Sequence, residues 1–133
     1  MTTHKNIFLV DDDLDDQFFF IEALSEIENA TLYDVANNGK EALDRLKDSV
    51  ILPGLIFMDI NMPVMNGIEC LSEIIKNPQI RNIPVVMLTT DTGQAELACK
   101  LGARAFLTKP SNGKILRKQL EQMINLDFVS VVA

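Results

Sequence analysis

Histidine occurs once, as His4, and cysteine twice, as Cys70 and Cys99. Neither cysteine has a partner at metal-ligand spacing, so no zinc site is expected. With no secretory signal ahead of them, two lone cysteines read as reduced, buried thiols. Positive charge is also scarce: 12 Lys and Arg stand against 19 Asp and Glu, a net charge of -7. No basic surplus is available to neutralise phosphates, which argues against direct nucleic-acid binding and against an anionic membrane surface. No apolar stretch approaches the length of a membrane span, and residues 1–6 are short and polar. Linkers and low-complexity runs are missing too. A cytoplasmic protein of one domain is therefore expected. Its 133 residues, 47% of them hydrophobic, suffice for one core.

What is present is an alternation of short apolar runs with longer helical segments. Ile7 to Val10 is a continuous apolar run that stops at Asp11, Asp12 and Asp13. Residues 14–27 then carry Phe18, Ile21, Leu24 and Ile27 at helical spacing. Thr31 to Val35 is a second strand candidate, and Asn37-Asn38-Gly39 a turn before a helix over 39–47. Leu55 to Met58 leads into Asp59, and a helix follows with Ile68, Leu71, Ile74 and Ile75 on its face. Val85 to Leu88 stops at Thr89, Thr90 and Asp91, before a short helix over 92–101 that Gly102 ends. Ala105 to Leu107 closes at Thr108, Lys109 and Pro110, with Ser111 as the expected cap of a last helix reaching Asn125. Strands apolar throughout are buried on both faces, as in a parallel sheet. Right-handed crossovers then predict an α/β, doubly wound sheet of five parallel strands with helices on both faces. The apolar tail, Phe128 to Ala133, has no element to belong to: it is either a frayed end or a clip on the sheet or on a second copy.

In open α/β sheets the functional crevice lies beyond the carboxyl ends of the strands. The polar residues fall there: Asp11, Asp12 and Asp13 after the first run, Asp59 after the third, Thr89 after the fourth, Lys109 after the fifth. Clustered carboxylates resist joint ionisation, and a hard divalent cation removes that cost. Asp12 and Asp59 suit direct ligation of Mg2+, Asp11 an outer-shell role, and a backbone carbonyl after Asp59 could complete the set. Phosphoryl transfer to a carboxylate needs mostly positioning and charge neutralisation. Lys109 supplies a compact positive charge and Thr89 a hydroxyl donor. Asp13, Asp15 and Asp16 read instead as first-turn helix charge.

Four motifs, in order, carry a family resemblance: Phe8-Leu9-Val10-Asp11-Asp12, Met58-Asp59-Ile60-Asn61-Met62-Pro63 with Asn66-Gly67, Leu88-Thr89-Thr90, and Thr108-Lys109-Pro110. From about residue 7 to 125 the chain resembles the receiver domain of two-component response regulators, close to the stand-alone chemotaxis type. The resemblance implies a flavodoxin-like strand order 2-1-3-4-5. It implies that Asp59 accepts a phosphoryl group from a histidine kinase or phosphotransfer protein. It implies Asp11 and Asp12 as the acidic pair for Mg2+, the Asn61 backbone carbonyl as a further ligand, and Lys109 contacting the phosphoryl group. Thr89 and Phe106 become the switch pair, and the Lys109–Pro110 bond is expected to be cis. Several positions depart from the usual pattern. Thr90 is larger than is common, Phe106 lacks a hydroxyl, Asn61 and Asp91 fall at positions tuning phosphoryl lifetime, and Ser111 replaces a large apolar residue.

The expected whole is one receiver domain over 1–133, with a core at about 6–126 and the tail 127–133 outside it, and no output domain. Its output is then a contact with a downstream protein or passage of the phosphoryl group onward, made as a monomer or as a phosphorylation-linked homodimer. It is expected not to be an enzyme with a separate substrate. A phosphohydrolase of the haloacid-dehalogenase type wants an acid two residues after the acceptor, where Asn61 stands. A flavodoxin-like nucleotide binder wants a Ser/Thr/Gly-rich loop where three aspartates stand, and these repel phosphate. A receiver without phosphorylation is disfavoured, because each key residue type is present.

Overall fold

Ten elements alternate along the chain in the computed structural model, which describes residues 4–110 and 112–126. They are β1 (Lys5–Val10), α1 (Leu14–Ser25), β2 (Ala30–Ala36), α2 (Gly39–Asp48), β3 (Leu55–Asp59), α3 (Gly67–Lys76), β4 (Val85–Thr89), α4 (Thr92–Leu101), β5 (Ala105–Thr108) and α5 (Gly113–Ile124). The strands form one parallel sheet in the order β2-β1-β3-β4-β5, as the family resemblance implies. Ser111 and the tail Phe128 to Ala133 lie outside the described residues.

Strand side chains alternate between two apolar layers. Phe8, Val10, Ile56, Met58 and Met87 pack with Leu43, Leu46, Leu71, Ile74 and Ala98 of α2, α3 and α4. Ile7, Leu9, Leu55, Phe57 and Leu88 face Phe20, Leu24, Leu120 and Ile124 of α1 and α5. The central strands β3 and β4 are buried at every residue, whereas the edge strands β2 and β5 are partly open. An edge strand has one neighbour only, so the expectation of uniform burial holds for the middle of the sheet.

The buried face of α1 differs from the one expected. Phe18 and Ile21 point outward, and the residues against the sheet are Phe20, Ala23, Leu24 and the trailing Ile27. These keep helical spacing, shifted around the axis, and Phe20 meets Phe57 edge to face at 5.2 Å between ring centroids. Three consecutive phenylalanines cannot be ordered by periodicity alone. The fit of one ring against β3 decides.

Polar caps fix the helix starts at the sheet's carboxyl edge. Asp13, Asn38, Asn66, Asp91 and Asn112 each accept backbone N–H bonds from the turn they begin. The last of these corrects the expected Ser111 cap: Asn112 accepts from Lys114 and Ile115, one position later, so α5 starts at Gly113.

Candidate functional site

Parallel pairing brings the strand ends level. Val10 pairs with Met58, Asp59 with Leu88, and Thr89 with Thr108. The next residue after β1 is Asp11 and the next after β5 is Lys109, so acids, hydroxyl and ammonium share one rim. Among the described residues the buried polar side chains are Asp11 (1% exposed), Asp59 (8%) and Thr89 (2%), and all three stand there. Burying carboxylates is costly unless they are paired. Their concentration at one place is therefore a chemical feature rather than a packing accident.

Lys109 is that pairing. Its Nζ donates to Asp59 Oδ2 at 3.1 Å, to Asp11 Oδ2 at 3.2 Å and to Asp16 Oδ2 at 2.7 Å. Burial pushes Asp11 up from the usual carboxylate range to about 6, against the opposing pull of the Asp13 N–H and of Lys109. Burial also raises Asp59, although the adjacent ammonium draws it back. For Lys109 burial acts downward, but the Asp16, Asp11 and Asp59 carboxylates outweigh it and hold the lysine above its ordinary value. The ammonium is thus a fixed charge at any physiological pH.

Asp12 is exposed, yet it joins Asp11 and Asp59 in a set whose carboxylate oxygens lie within 4.8 Å of one another. Three hard oxygen donors at this separation suit a small divalent cation. Asn61 stands exposed in the loop two residues past Asp59. The Thr89 hydroxyl is engaged locally, accepting from the Asp91 N–H at 2.9 Å and donating to the Asp91 carbonyl at 3.4 Å. Phe106, paired in register with Met87, is 36% exposed, so its ring is not packed in the core. Asp91 itself caps α4 through bonds from Gly93 and Gln94.

One geometric expectation fails. No peptide bond among the described residues is cis, so Lys109–Pro110 is trans. Trans is the intrinsically favoured isomer of such a bond by about 0.5–1 kcal/mol, and Lys109 reaches its three carboxylates with it.

Two residues at the site escaped the sequence reading. Asp16 reads from sequence as first-turn helix charge, but it makes the shortest contact to Lys109. Asp13 caps α1, and Asp16, three residues on, has its N–H on that cap at 3.0 Å, but no local pattern marks its carboxylate as a partner of Lys109. Gly67 reads from sequence only as part of a turn. It lies against the backbone of Asp59, where any Cβ would collide.

Fold and rim define a class: a flavodoxin-like α/β domain with an acidic pocket and one lysine at its carboxyl edge. The family model of the response regulator receiver domain matches residues 7–121, and the chain belongs to that family, the phosphorylatable switches of two-component signalling. It is 36% identical over 141 residues to a transcriptional regulatory protein CpxR homolog of Haemophilus influenzae, covering 97% of this chain and 58% of that protein. The chain thus spans little more than half the length of that relative. Among solved structures it resembles the phosphorylated cyanobacterial phytochrome response regulator RcpA, with 28% identity, a TM-score of 0.80 and 98% of both chains covered. It also resembles the Mn(2+)-bound form of response regulator Rcp1, with 31% identity, a TM-score of 0.77, and 90% and 91% of the two chains covered. No helix among the described residues is long and apolar enough to cross a membrane.

Proposed function

We propose that Asp59 is the phosphoryl acceptor of this domain, and that residues 1–133 work as one switch. The observation that carries the reading is the placement of Lys109 Nζ 3.1 Å from a buried Asp59 that also belongs to a three-carboxylate cluster. An Asp59 carboxylate oxygen attacks the phosphorus of the donor. A new P–O bond forms as the bond to the leaving group breaks, and the leaving group departs with that electron pair. Asp12, Asp59 and the Asn61 carbonyl would hold Mg2+, with Asp11 beside them in the same acidic cluster. Mg2+ supplies charge neutralisation for the phosphoryl oxygens. Lys109 contributes a second, fixed positive charge, which lies preorganised before the donor arrives. A Mn(2+)-bound relative supports the cation assignment.

The donor is a histidine kinase or a phosphotransfer protein, and the readout is a downstream protein rather than nucleic acid or membrane, in the cytoplasm. The domain promotes its own phosphorylation and dephosphorylation and turns over no separate substrate. Switching is a population shift, in which the phosphoryl group must favour one state by a few kcal/mol. Thr89 leaves Asp91 for the phosphoryl group, and the Phe106 ring moves inward behind it. The active form is a monomer or a phosphorylation-linked homodimer.

Intact-protein mass spectrometry after incubation with acetyl phosphate, with and without Mg2+ and beside Asp59→Asn, tests this. One phosphoryl adduct is expected in the wild type with Mg2+ and none in the variant. An adduct that survives in Asp59→Asn, or none in any condition, overturns the assignment.

A further inference from the structure

Resting on Asp59 as the acceptor, we propose that Asp16 is a positioning residue for Lys109: its carboxylate takes one N–H donor of the ammonium and so sets where the positive charge meets an incoming phosphoryl group.

An ammonium has three N–H donors on a flexible four-carbon stem. Here three carboxylates take them, two from strand ends and one from a helix. Asp11 and Asp59 approach from the sheet at 3.2 and 3.1 Å, while Asp16 approaches from α1 at 2.7 Å. Asp16 stands outside the three-carboxylate cluster of Asp11, Asp12 and Asp59. Its role is therefore toward the lysine and not toward a cation. Without Asp16 the stem would be held only by the two acids that a phosphoryl group and a cation must engage. With it, the ammonium keeps an anchor that takes no part in the transfer.

The anchor is itself held. Asp13 accepts the Asp16 N–H at 3.0 Å, and the next residue, Gln17, donates to the Asp11 carbonyl and to Asn37 Oδ1. The first turn of α1 is thereby tied to the ends of β1 and β2. The pair itself lines a pocket of about 260 Å3 whose apolar side is formed by Phe19, Phe20, Leu88 and Leu116. An apolar wall on one side strengthens an ion pair relative to one in open water.

A double-mutant cycle separates positioning from mere charge. Phosphorylation by acetyl phosphate at saturating Mg2+ is timed by mass spectrometry for the wild type, Asp16→Asn, Lys109→Gln and the double variant. Asp16→Asn removes a negative charge that faces an anionic donor, which by itself would speed the reaction. Positioning predicts the opposite, a fall of about fivefold, the size expected of one partly exposed ion pair. The fall should disappear in the Lys109→Gln background and be largely restored by Asp16→Glu. Asp15→Asn, an equal loss of charge from the same helical turn, should not lower the rate. A faster reaction in Asp16→Asn, or an equal fall with and without Lys109, overturns the proposal.

A second readout does not depend on phosphorylation. The 1H–15N signal of the Lys109 ammonium should exchange with water markedly faster in Asp16→Asn than in the wild type, with the urea midpoint unchanged. An unaltered exchange rate also overturns it. If the wild type takes no label at all, the acceptor reading fails, and this exchange rate alone decides the Asp16 pairing.

Discussion

A Cβ built on Gly67 would lie 2.2 Å from the carbonyl oxygen of Asp59 and 2.9 Å from Ile60 Cα. The Gly67 N–H donates to the Ile60 carbonyl at 2.8 Å, so α3 begins in direct contact with the strand end that carries the candidate acceptor. Gly67 is thus a spacing requirement of the site and not only a turn residue.

Gly67→Ala should destabilise the fold by about 3 kcal/mol, the upper range for overpacking, because the obstructing atoms are backbone and cannot rotate away. Urea denaturation measures this. A loss under about 0.5 kcal/mol would show that the loop gives way at little cost.

The loop between β3 and α3 also contains strain that can be relieved. Val64 has φ of 67°, and the Met65 N–H closes a tight turn onto the Pro63 carbonyl at 2.7 Å. A β-branched residue is disfavoured there, and Val64 is 77% exposed, so little packing is lost with its side chain. Val64→Gly should raise stability by about 0.5–1 kcal/mol, the left-handed penalty less the entropy glycine loses. The urea midpoint should move up accordingly.

Acid pH should stabilise the cation-free protein. Asp11 titrates near 3.8 when unfolded and at about 6 when folded, so between these values the native state binds more protons. Stability is then highest below about pH 4 with respect to this group and falls as pH rises through 6, by at most about 3 kcal/mol. Mg2+ should offset the loss above pH 6 and bind more weakly below it, with proton release on binding. Paired urea titrations at pH 5 and pH 7.5, with and without Mg2+, check both signs.

Thr89→Ala should leave phosphorylation of Asp59 intact and uncouple it from the rearrangement of α4 and β5. The variant loses the bond from the Asp91 N–H, worth about 1 kcal/mol. Amide chemical shifts of α4 and β5 should move on phosphorylation in the wild type and stay in place in the variant. Equal shifts in both would remove Thr89 from the switch.

The orientation of α1 can be tested by truncation. Phe20→Ala should lose about 3–5 kcal/mol, since its buried ring packs on Phe57. Phe18→Ala, at 62% exposure, should change stability by no more than about 0.5 kcal/mol.

Much of this protein was legible along the chain. Runs such as Leu55 to Met58 announce buried parallel strands, because only a strand covered on both faces is apolar at every position. Asp59 and Thr89 end such runs, so their place at the carboxyl edge follows from parallel topology. Other features depend on distances between segments that no local pattern encodes. Phe18, Phe19 and Phe20 are equivalent to periodicity, and only the fit against Phe57 buries the third. Asp16 is an ordinary first-turn carboxylate until α1 is docked beside Lys109, which lies 93 residues away in sequence.

The sequence by itself determined the alternation of buried strands and helices and the acids and lysine at one rim, and its four motifs carried the family and, through the resemblance, the strand order. The first two follow from hydrophobic period and from residue types at strand ends. Tertiary structure alone decided which α1 face is buried, that Asp16 shares the lysine, and that Gly67 must lack a side chain. The physical reason is common to these: each depends on packing or short-range contact between elements, energies that fall off within a few ångströms and exist only once the chain has folded.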